Sequence, residues 1–368
     1  MSIYRFSFPT QILFGAGALA ELPAELAKRG MRRPLLVTDR GLRRTAVFER
    51  VLAHTPGATV FDAVDPNPVE KNVADGIEAY RAAGCDSVVA AGGGSPLDAG
   101  KAIRLKVTHD LPLAQYDDLI GGDALITSNV PPMIALATTA GTGSEVGRST
   151  VITLAATNRK TVIFSPYLIP SLALNDPELT LELPAHVTAG TGMDALTHNL
   201  EAYIAKGYHP ICDAIALGGV KLCAQHLPRL ARDPRDLESR TAMMMASMQG
   251  AIAFQKGLGA AHSLAHPLSS EFGMHHGTAN AVVLPFVMEF NEASPAAARL
   301  QEIAAILGED GVRRLNALLG IKPFLRDYGV PEEALPMLAA KAMEDGCHQN
   351  NPRPCTQADL LALYRAAW

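Results

Sequence analysis

Four short runs in the first half of the chain are apolar almost without interruption: PLLVTD (34–39), CDSVVAAGGG (85–94), MIALATT (133–139) and SLALND (171–176). Each ends in turn or polar residues, and helical patterns such as VEKNVADGIEAYRAAG (69–84) lie between them. A strand that is apolar on both faces has to be covered on both faces. Such strands alternating with helices predict an α/β fold with a parallel sheet between two helical layers. A sheet of this kind binds ligands beyond the carboxyl ends of its strands. From about Ala185 the texture changes to long Ala-, Leu- and Met-rich stretches, as in ICDAIALGGVKLCAQHL and ESRTAMMMASMQGAIAF. These follow the helical period of about 3.6 residues with no strand pattern among them. The expected organisation is an α/β domain over residues 1–180 and an all-helical domain over 181–368.

A chain of 368 residues can build two cores. Its net charge of −5 gives no electrostatic reason to expect nucleic acid or an anionic membrane as partner. No window offers about 18 uninterrupted apolar residues, so no membrane span is expected. The opening MSIYRFSFPT lacks a basic segment followed by an apolar one, so no signal peptide is expected either. The five cysteines (Cys85, Cys212, Cys223, Cys347 and Cys355) are odd in number and scattered, and no two form a CxxC. They read as free thiols of a cytoplasmic protein, with Cys85 and Cys223 as core residues.

Three glycine-bearing turns follow apolar runs. GAGALA (15–20) fits the GxGxxA form of a dinucleotide fingerprint, with Asp39 at a suitable distance. A plain glycine turn opening a helix gives the same pattern, and both readings stand. AAGGGSPLDAGKAI (90–103) is more specific. A buried strand runs into Gly92, Gly93 and Gly94, then Ser95, then Pro96 in a first helical turn. Glycines let backbone amides approach a phosphate, and the helix start adds free N–H groups. Asp98 would repel a pyrophosphate directly and is expected to cap the helix or orient the loop. TTAGTGSE (138–145) supplies a second polar loop on the same sheet edge. Two such loops imply a ligand lying across the strand ends, as a dinucleotide would. Asp39 ends the strand PLLVTD, where a carboxylate can accept from an adenosine ribose and would repel a 2′-phosphate, favouring NAD over NADP. An Asx turn before Gly41 explains the same residue equally well.

The second half concentrates imidazoles. Four of eleven histidines (His262, His266, His275 and His276) fall within fifteen residues. Asp194 and His198 stand four apart in GMDALTH, on one helix face, and His262 and His266 repeat that spacing. A carboxylate with two or three imidazoles forms an N/O shell for a divalent metal. Only one of His275 and His276 need be a ligand, and spacing does not choose between them.

FGAGALAEL, GGGSPLDAGKA, TTAGTGSEV, NDPELT, LPAHVTAGTGMDALTHNLEAY, GLGAAHSLAHPL, HHGTANA and NPRP follow one another in this chain. In that order, and over nearly the full length, they resemble the iron-containing (group III) alcohol dehydrogenase family. The resemblance implies an N-terminal Rossmann-like domain and an all-α C-terminal domain, the architecture shared with dehydroquinate synthase. It implies Asp194, His198, His262 and His276 as metal ligands and His266 as an active-site histidine near the nicotinamide. For the dinucleotide it implies Asp39 and Asn67 at the adenosine end and Gly93, Gly94, Ser95 and Asp98 from the first loop. It adds Thr138, Thr139, Thr142 and Ser144 from the second loop, with Val151, Lys160 and Leu179. GAGALA then becomes a family landmark rather than the main phosphate cradle.

Three departures lie near the expected substrate side. Phe286 replaces a frequent histidine, Gly147 replaces a common threonine, and AFQKGLG (253–259) is one residue shorter than usual. Phe254 and Lys256 become candidate substrate contacts, with Lys256 as a cation for an anionic substrate such as a hydroxy acid or semialdehyde. The alternative for Lys256 is a side chain whose head reaches solvent. The implied reaction is reversible hydride transfer between a primary or secondary alcohol and its aldehyde or ketone. It would use NAD and one divalent ion, Fe2+ or Zn2+, in a homodimer or larger homo-oligomer. The alternatives are maleylacetate-reductase-like activity, lyase chemistry of the dehydroquinate synthase kind with NAD recycled, and non-catalytic NAD binding.

Overall fold

The structure of the chain, a computed structural model, describes residues 8, 10–157, 159–308 and 310–368. The opening MSIYRFSFPT, on which the expectation of no signal peptide rests, lies outside the described residues except for Phe8 and Thr10. Pro9–Thr139 and Gly143–Glu182 form one compact unit, and Ala140–Thr142 and Leu183–Trp368 belong to a second.

The first unit is α/β. Its strands are β1 (Ile12–Phe14), β2 (Pro34–Asp39), β3 (Thr59–Val64), β4 (Ser87–Gly92), β5 (Met133–Ala137), β6 (Ser149–Leu154), β7 (Arg159–Phe164) and β8 (Leu172–Asn175). Six of them form one sheet in the order β1-β8-β5-β4-β2-β3, with every neighbouring pair parallel. The four apolar runs of the sequence are β2, β4, β5 and β8, the central strands. Every residue of β4, β5 and β8 is buried, as is all of β2 up to Asp39. Four helices accompany the sheet: α1 (Leu22–Lys28), α2 (Ala46–Ala53), α3 (Glu70–Ala82) and α4 (Gly94–Lys106).

Strand alternation divides the core into two layers. Leu35, Val37, Val88 and Ala90 pack with Val73 of α3 and Ile103 of α4. Leu36, Val89 and Ala91 pack with Leu26 of α1 and Phe48 of α2. The chain therefore leaves β2 toward one face and leaves its neighbour β4 toward the other. This divergence is the topological switch point, where a parallel sheet opens a crevice at its carboxyl edge. Asp39 and Gly93 stand at the ends of these two strands.

Four strands are less visible in the sequence. β1 is only three residues long. β3 is an edge strand whose TVFDAV is half-buried at most positions. β6 and β7 pair antiparallel as a separate ribbon, and STVITL alternates buried and half-buried residues.

The second unit is helical, with no strand among the described residues. It comprises α5 (Ala185–Ile204), α6 (Pro210–Arg232), α7 (Leu237–Ala253), α8 (Ala260–Phe272), α9 (His276–Asn291), α10 (Ala297–Leu307), α11 (Gly311–Leu318), α12 (Leu335–Glu344) and α13 (Gln357–Ala367). α5 is its axis, buried without a break from Thr188 to Ile204. A helix with no exposed stripe must be enclosed, and α6, α7 and α9 pack around it. The α5–α9 crossing depends on glycine. A Cβ at Gly277 would lie 2.0 Å from the Gly190 carbonyl oxygen and 2.9 Å from Asp194 Cβ. The absence of that atom lets the start of α9 come down on Asp194.

Candidate metal centre and cofactor loops

Three helices of the second unit bring the candidate ligands together. On α5, Asp194, His198 and Glu201 follow at intervals of four and three residues and share one face. α8 carries His262 and His266, and α9 opens with His276. Asp194 Oδ1 lies 3.6 Å from His276 Nε2 and 3.9 Å from His262 Nε2. Ligand atoms of these three residues all fall within 4.8 Å of one another. His198 joins them by ring contact, stacked on His262 with centroids 4.6 Å apart, and its Nδ1 is 3.9 Å from Asp194 Oδ2. His275 is exposed, at the position just before α9.

The imidazoles are held from behind. His262 Nδ1 donates to Glu201 Oε2 at 2.6 Å, which turns the Nε2 lone pair toward Asp194. The same carboxylate accepts from the amides of Gly259 and Ala261 at 2.9 and 2.7 Å. His198 Nδ1 donates to the Gly141 carbonyl at 3.3 Å. A carboxylate or carbonyl behind a ligating histidine fixes its tautomer and raises its basicity. Burial pushes the His198 pKa down to about 4 despite the nearby Asp194, so this imidazole is neutral at pH 7. Burial also disfavours a charge on His262, but the hydrogen bond and charge of Glu201, with Asp194, outweigh it and raise the pKa.

The donor set fits a divalent cation. Asn280 Nδ2 donates to Asp194 Oδ1 at 2.9 Å and is 3.3 Å from Nε2 of both His262 and His276. One amide nitrogen has two hydrogens for these three acceptors, and the Asp194 charge, 2% exposed, faces imidazoles rather than a lysine or arginine. Ligands sharing a tetrahedral ion at about 2.1 Å sit about 3.4 Å apart, close to the separations found here.

In the α/β unit, Gly92 ends β4 at φ +153, where a Cβ would meet Pro96 Cγ at 2.5 Å. Only glycine permits this turn into α4, which begins at Gly94 with Ser95 behind it. The amide of Thr138 donates to the Gly92 carbonyl at 2.9 Å, joining the two loops at the ends of β4 and β5. A Cβ at Gly93 would touch Thr139 Oγ1 at 3.2 Å, so the approach is close there as well. Asp98 orients the second loop. Its Oδ1 accepts from Ser144 Oγ at 2.6 Å and its Oδ2 from the Val151 amide at 3.0 Å. Lys101, one turn on and fully buried, donates to Ser144 O, Ser144 Oγ and Ser149 O at 2.7–2.8 Å. Burial lowers its pKa to about 8 against the pull of Asp98. Lys160 lies on β7, and its charge reaches Asp98. Asp39 Oδ1 accepts from the amides of Gly41 and Leu42, so the Asx turn is present at the strand end. Asn67 is half-buried before α3, and Thr142 is half-buried in the second unit.

Some expected roles find a different setting. In GAGALA, the amides of Gly17 and Leu19 donate to the carboxylate of Asp176. Those donors are committed, and a carboxylate beside them would repel a phosphate. Leu179 is 2% exposed and belongs to the apolar layer of α1 and α2. Lys256 corrects the idea of a cation presented to substrate or to solvent. Its Nζ lies 2.5 Å from Asp213 Oδ1 and donates to the Tyr203 carbonyl, with the side chain 2% exposed. Arg299 takes the other oxygen of Asp213 at 2.7 Å. A buried ammonium requires an anion, and Asp213 in the first turn of α6 supplies it. Phe254 does reach the centre, with its ring 5.3 Å from that of His198.

Sequence reasoning missed Glu201, Asn280, Asp345 and Lys101. Three of these carried a signal: Glu201 follows His198 by three, Asn280 follows His276 by four, and Lys101 follows Asp98 by three. Each interval keeps the pair on one helix face. Asp345 hydrogen-bonds His266 from 79 residues away, and no local pattern announces it.

Both units of the chain have known relatives. Residues 9–177 match the model of iron-containing alcohol dehydrogenases, and residues 188–368 match that of the C-terminal part of the same family. The chain is 43% identical to a 4-hydroxybutyrate dehydrogenase of Cupriavidus necator, covering 96% of this chain and 97% of that one. It is 39% identical to a 1,3-propanediol dehydrogenase of Citrobacter freundii, covering 100% and 99%. Among solved structures, a 1,3-propanediol oxidoreductase superposes with a TM-score of 0.95 at 37% identity, covering all of both chains. A sulfoacetaldehyde reductase of Bifidobacterium kashiwanohense in complex with NAD+ gives 0.90 at 31%, covering 100% and 99%. With both units matched and relatives aligned nearly end to end, this chain belongs to the iron-containing alcohol dehydrogenase family.

Proposed function

We propose that the chain is an NAD(H)- and metal-dependent dehydrogenase that interconverts a small primary or secondary alcohol and its aldehyde or ketone. The observation that carries this reading is the convergence of Asp194, His262 and His276 within 4.8 Å on helices that also bring His198. These four residues would hold one divalent ion, and a carboxylate with three imidazoles accepts Fe2+ and Zn2+ alike. When bound, the ion supplies Lewis acidity at the substrate oxygen and the dinucleotide supplies the hydride acceptor. Glu201 keeps His262 in the tautomer a ligand needs. His266 accepts the proton that the alcohol must lose and returns it to solvent. Phe254, against His198, gives the substrate an apolar wall.

The switch point between β2 and β4 supports a dinucleotide spanning Asp39, the Gly93–Ser95 loop and the Thr138–Ser144 loop. Asp39 at that point favours NAD over NADP. The NAD+ complex of a structural relative and the name of a 34%-identical NAD-dependent methanol dehydrogenase of Bacillus methanolicus point the same way. Short-chain hydroxy acids belong in the substrate range because a relative is a 4-hydroxybutyrate dehydrogenase; Lys256 lends that choice no support. The protein is expected to act in the cytoplasm as a homodimer or larger assembly, which light scattering of the purified chain would test.

The deciding experiment strips the protein with a chelator, reloads it anaerobically with Fe2+ or Zn2+, and follows NADH with 1-butanol, 1,3-propanediol and 4-hydroxybutyrate. Metal-dependent net NADH formation is expected. NAD that is recycled without net NADH would favour lyase chemistry instead. Turnover unaffected by chelation would remove the metal from the proposal.

A further inference from the structure

Asp345, just past the end of α12, is the centre of a second cluster beside the four candidate ligands. Its Oδ2 lies 2.7 Å from His266 Nδ1. Its Oδ1 accepts from Ser263 Oγ at 2.8 Å and from the Cys347 amide at 2.9 Å. Ser263 Oγ in turn accepts from the His348 amide at 2.8 Å, so the segment after α12 is tied to α8 at two points. The His266 ring is fixed from its other side, stacked on His276 with centroids 5.1 Å apart and planes at 13°.

His266, Asp345 and Cys347 also have the spacing of a metal cluster. Three internal donors already engage both oxygens of the Asp345 carboxylate. Burial and the neighbouring carboxylate hold the Cys347 thiol far above its ordinary pKa. The cluster is a hydrogen-bond hub.

We infer that Asp345 is a positioning residue that fixes one tautomer and one ring orientation of His266. With Nδ1–H bound to Asp345, the Nε2 lone pair is left to accept the substrate hydroxyl proton. This rests on the role proposed for His266 above. The proton lost from the hydroxyl becomes the N–H of Nε2, the transient imidazolium is balanced by the Asp345 carboxylate, and the hydride goes to the dinucleotide named above. The logic is that of an acid holding a general base in its working tautomer.

Asparagine at this position is informative because it has a single acceptor oxygen. Two donors, Ser263 Oγ and the Cys347 amide, converge on Oδ1. An amide that serves them turns its NH2 toward His266. Nδ1 must then accept, and the ring hydrogen moves to Nε2, where it blocks proton uptake.

The test compares wild type, Asp345→Asn, His266→Ala and the double variant, all zinc-loaded and saturated with NAD. Asp345→Asn should lower kcat about 100-fold with KM within about twofold. The double variant should be no slower than His266→Ala, since the two residues act as one. Nitrogen NMR of 15N-histidine-labelled protein should show Nδ1–H for His266 in wild type and Nε2–H in Asp345→Asn. Multiplying losses in the double variant, as a merely structural role would give, overturn the inference. So does a wild-type His266 that carries its hydrogen on Nε2, a measurement that needs no variant to fold. Full turnover in His266→Ala overturns the role of His266 itself. Loss in His266→Ala with wild-type kcat in Asp345→Asn overturns only that of Asp345.

Discussion

The two units hold their functional groups by opposite means. In the α/β unit the candidate cofactor contacts are mostly backbone and small polar groups at the ends of β4 and β5, and buried side chains lock the loops from beneath. Asp98 and Lys101 do this for Ser144, Ser149 and Val151. In the helical unit the groups are side chains on rigid helices, and three of the imidazoles are backed by a carboxylate or carbonyl. Glu201 stands behind His262, Gly141 behind His198, and Asp345 behind His266. A backbone site is altered through its supports, whereas a side-chain site can be removed one ligand at a time. The two should therefore fail separately.

The largest separation should come from Asp194→Ala. Removing the charged ligand should abolish metal retention and lower turnover by at least about 1,000-fold, the equivalent of several kcal/mol of Lewis-acid stabilisation. NAD affinity by fluorescence titration should stay within about twofold. A large loss of NAD binding would erase the contrast between the units. Lys101→Met should do the reverse. It removes a positive charge that offsets the buried Asp98 carboxylate, together with three hydrogen bonds to the second loop, so destabilisation of about 3–5 kcal/mol is expected on denaturant unfolding, with weakened NAD binding and unchanged metal content. Glu201→Gln should reduce metal affinity about 10–100-fold in a chelator competition, because the support remains but its charge is lost. The smallest effect is expected from Asp39→Ser, which should raise the NADP-to-NAD ratio of kcat/KM by about tenfold, near 1.4 kcal/mol of relieved repulsion. An unchanged ratio would leave Asp39 with only its Asx turn.

Legibility in the sequence follows the same division. β2, β4, β5 and β8 are readable because both faces are buried and the sequence has no choice but to be apolar. β3 and the β6–β7 ribbon are half-exposed, so their patterns blur into those of loops. At the candidate centre, two intervals of four bring Asp194, His198, His262 and His266 into view before any coordinates. The choice between His275 and His276 is invisible to spacing. It turns on where α9 begins and on Gly277, which lets that start approach Asp194 so that His276 Nε2 comes within 3.6 Å. Lys256 is misjudged from sequence because its partner Asp213 is 43 residues distant. A charge looks available until the residue that neutralises it is known.

The tie between Asp176 and the turn after β1 bears on how the chain behaves in a crowd. Among the described residues, β1 is the last strand on its side of the sheet. An exposed outer strand is a template on which another chain can add hydrogen bonds. Here that strand is three residues long, and the backbone leaves it at once through Gly15–Gly17, where Asp176 captures the amides of Gly17 and Leu19. Asp176→Ala should release this turn, lengthen the pairing surface, and show itself as aggregation at high concentration before any change in catalysis.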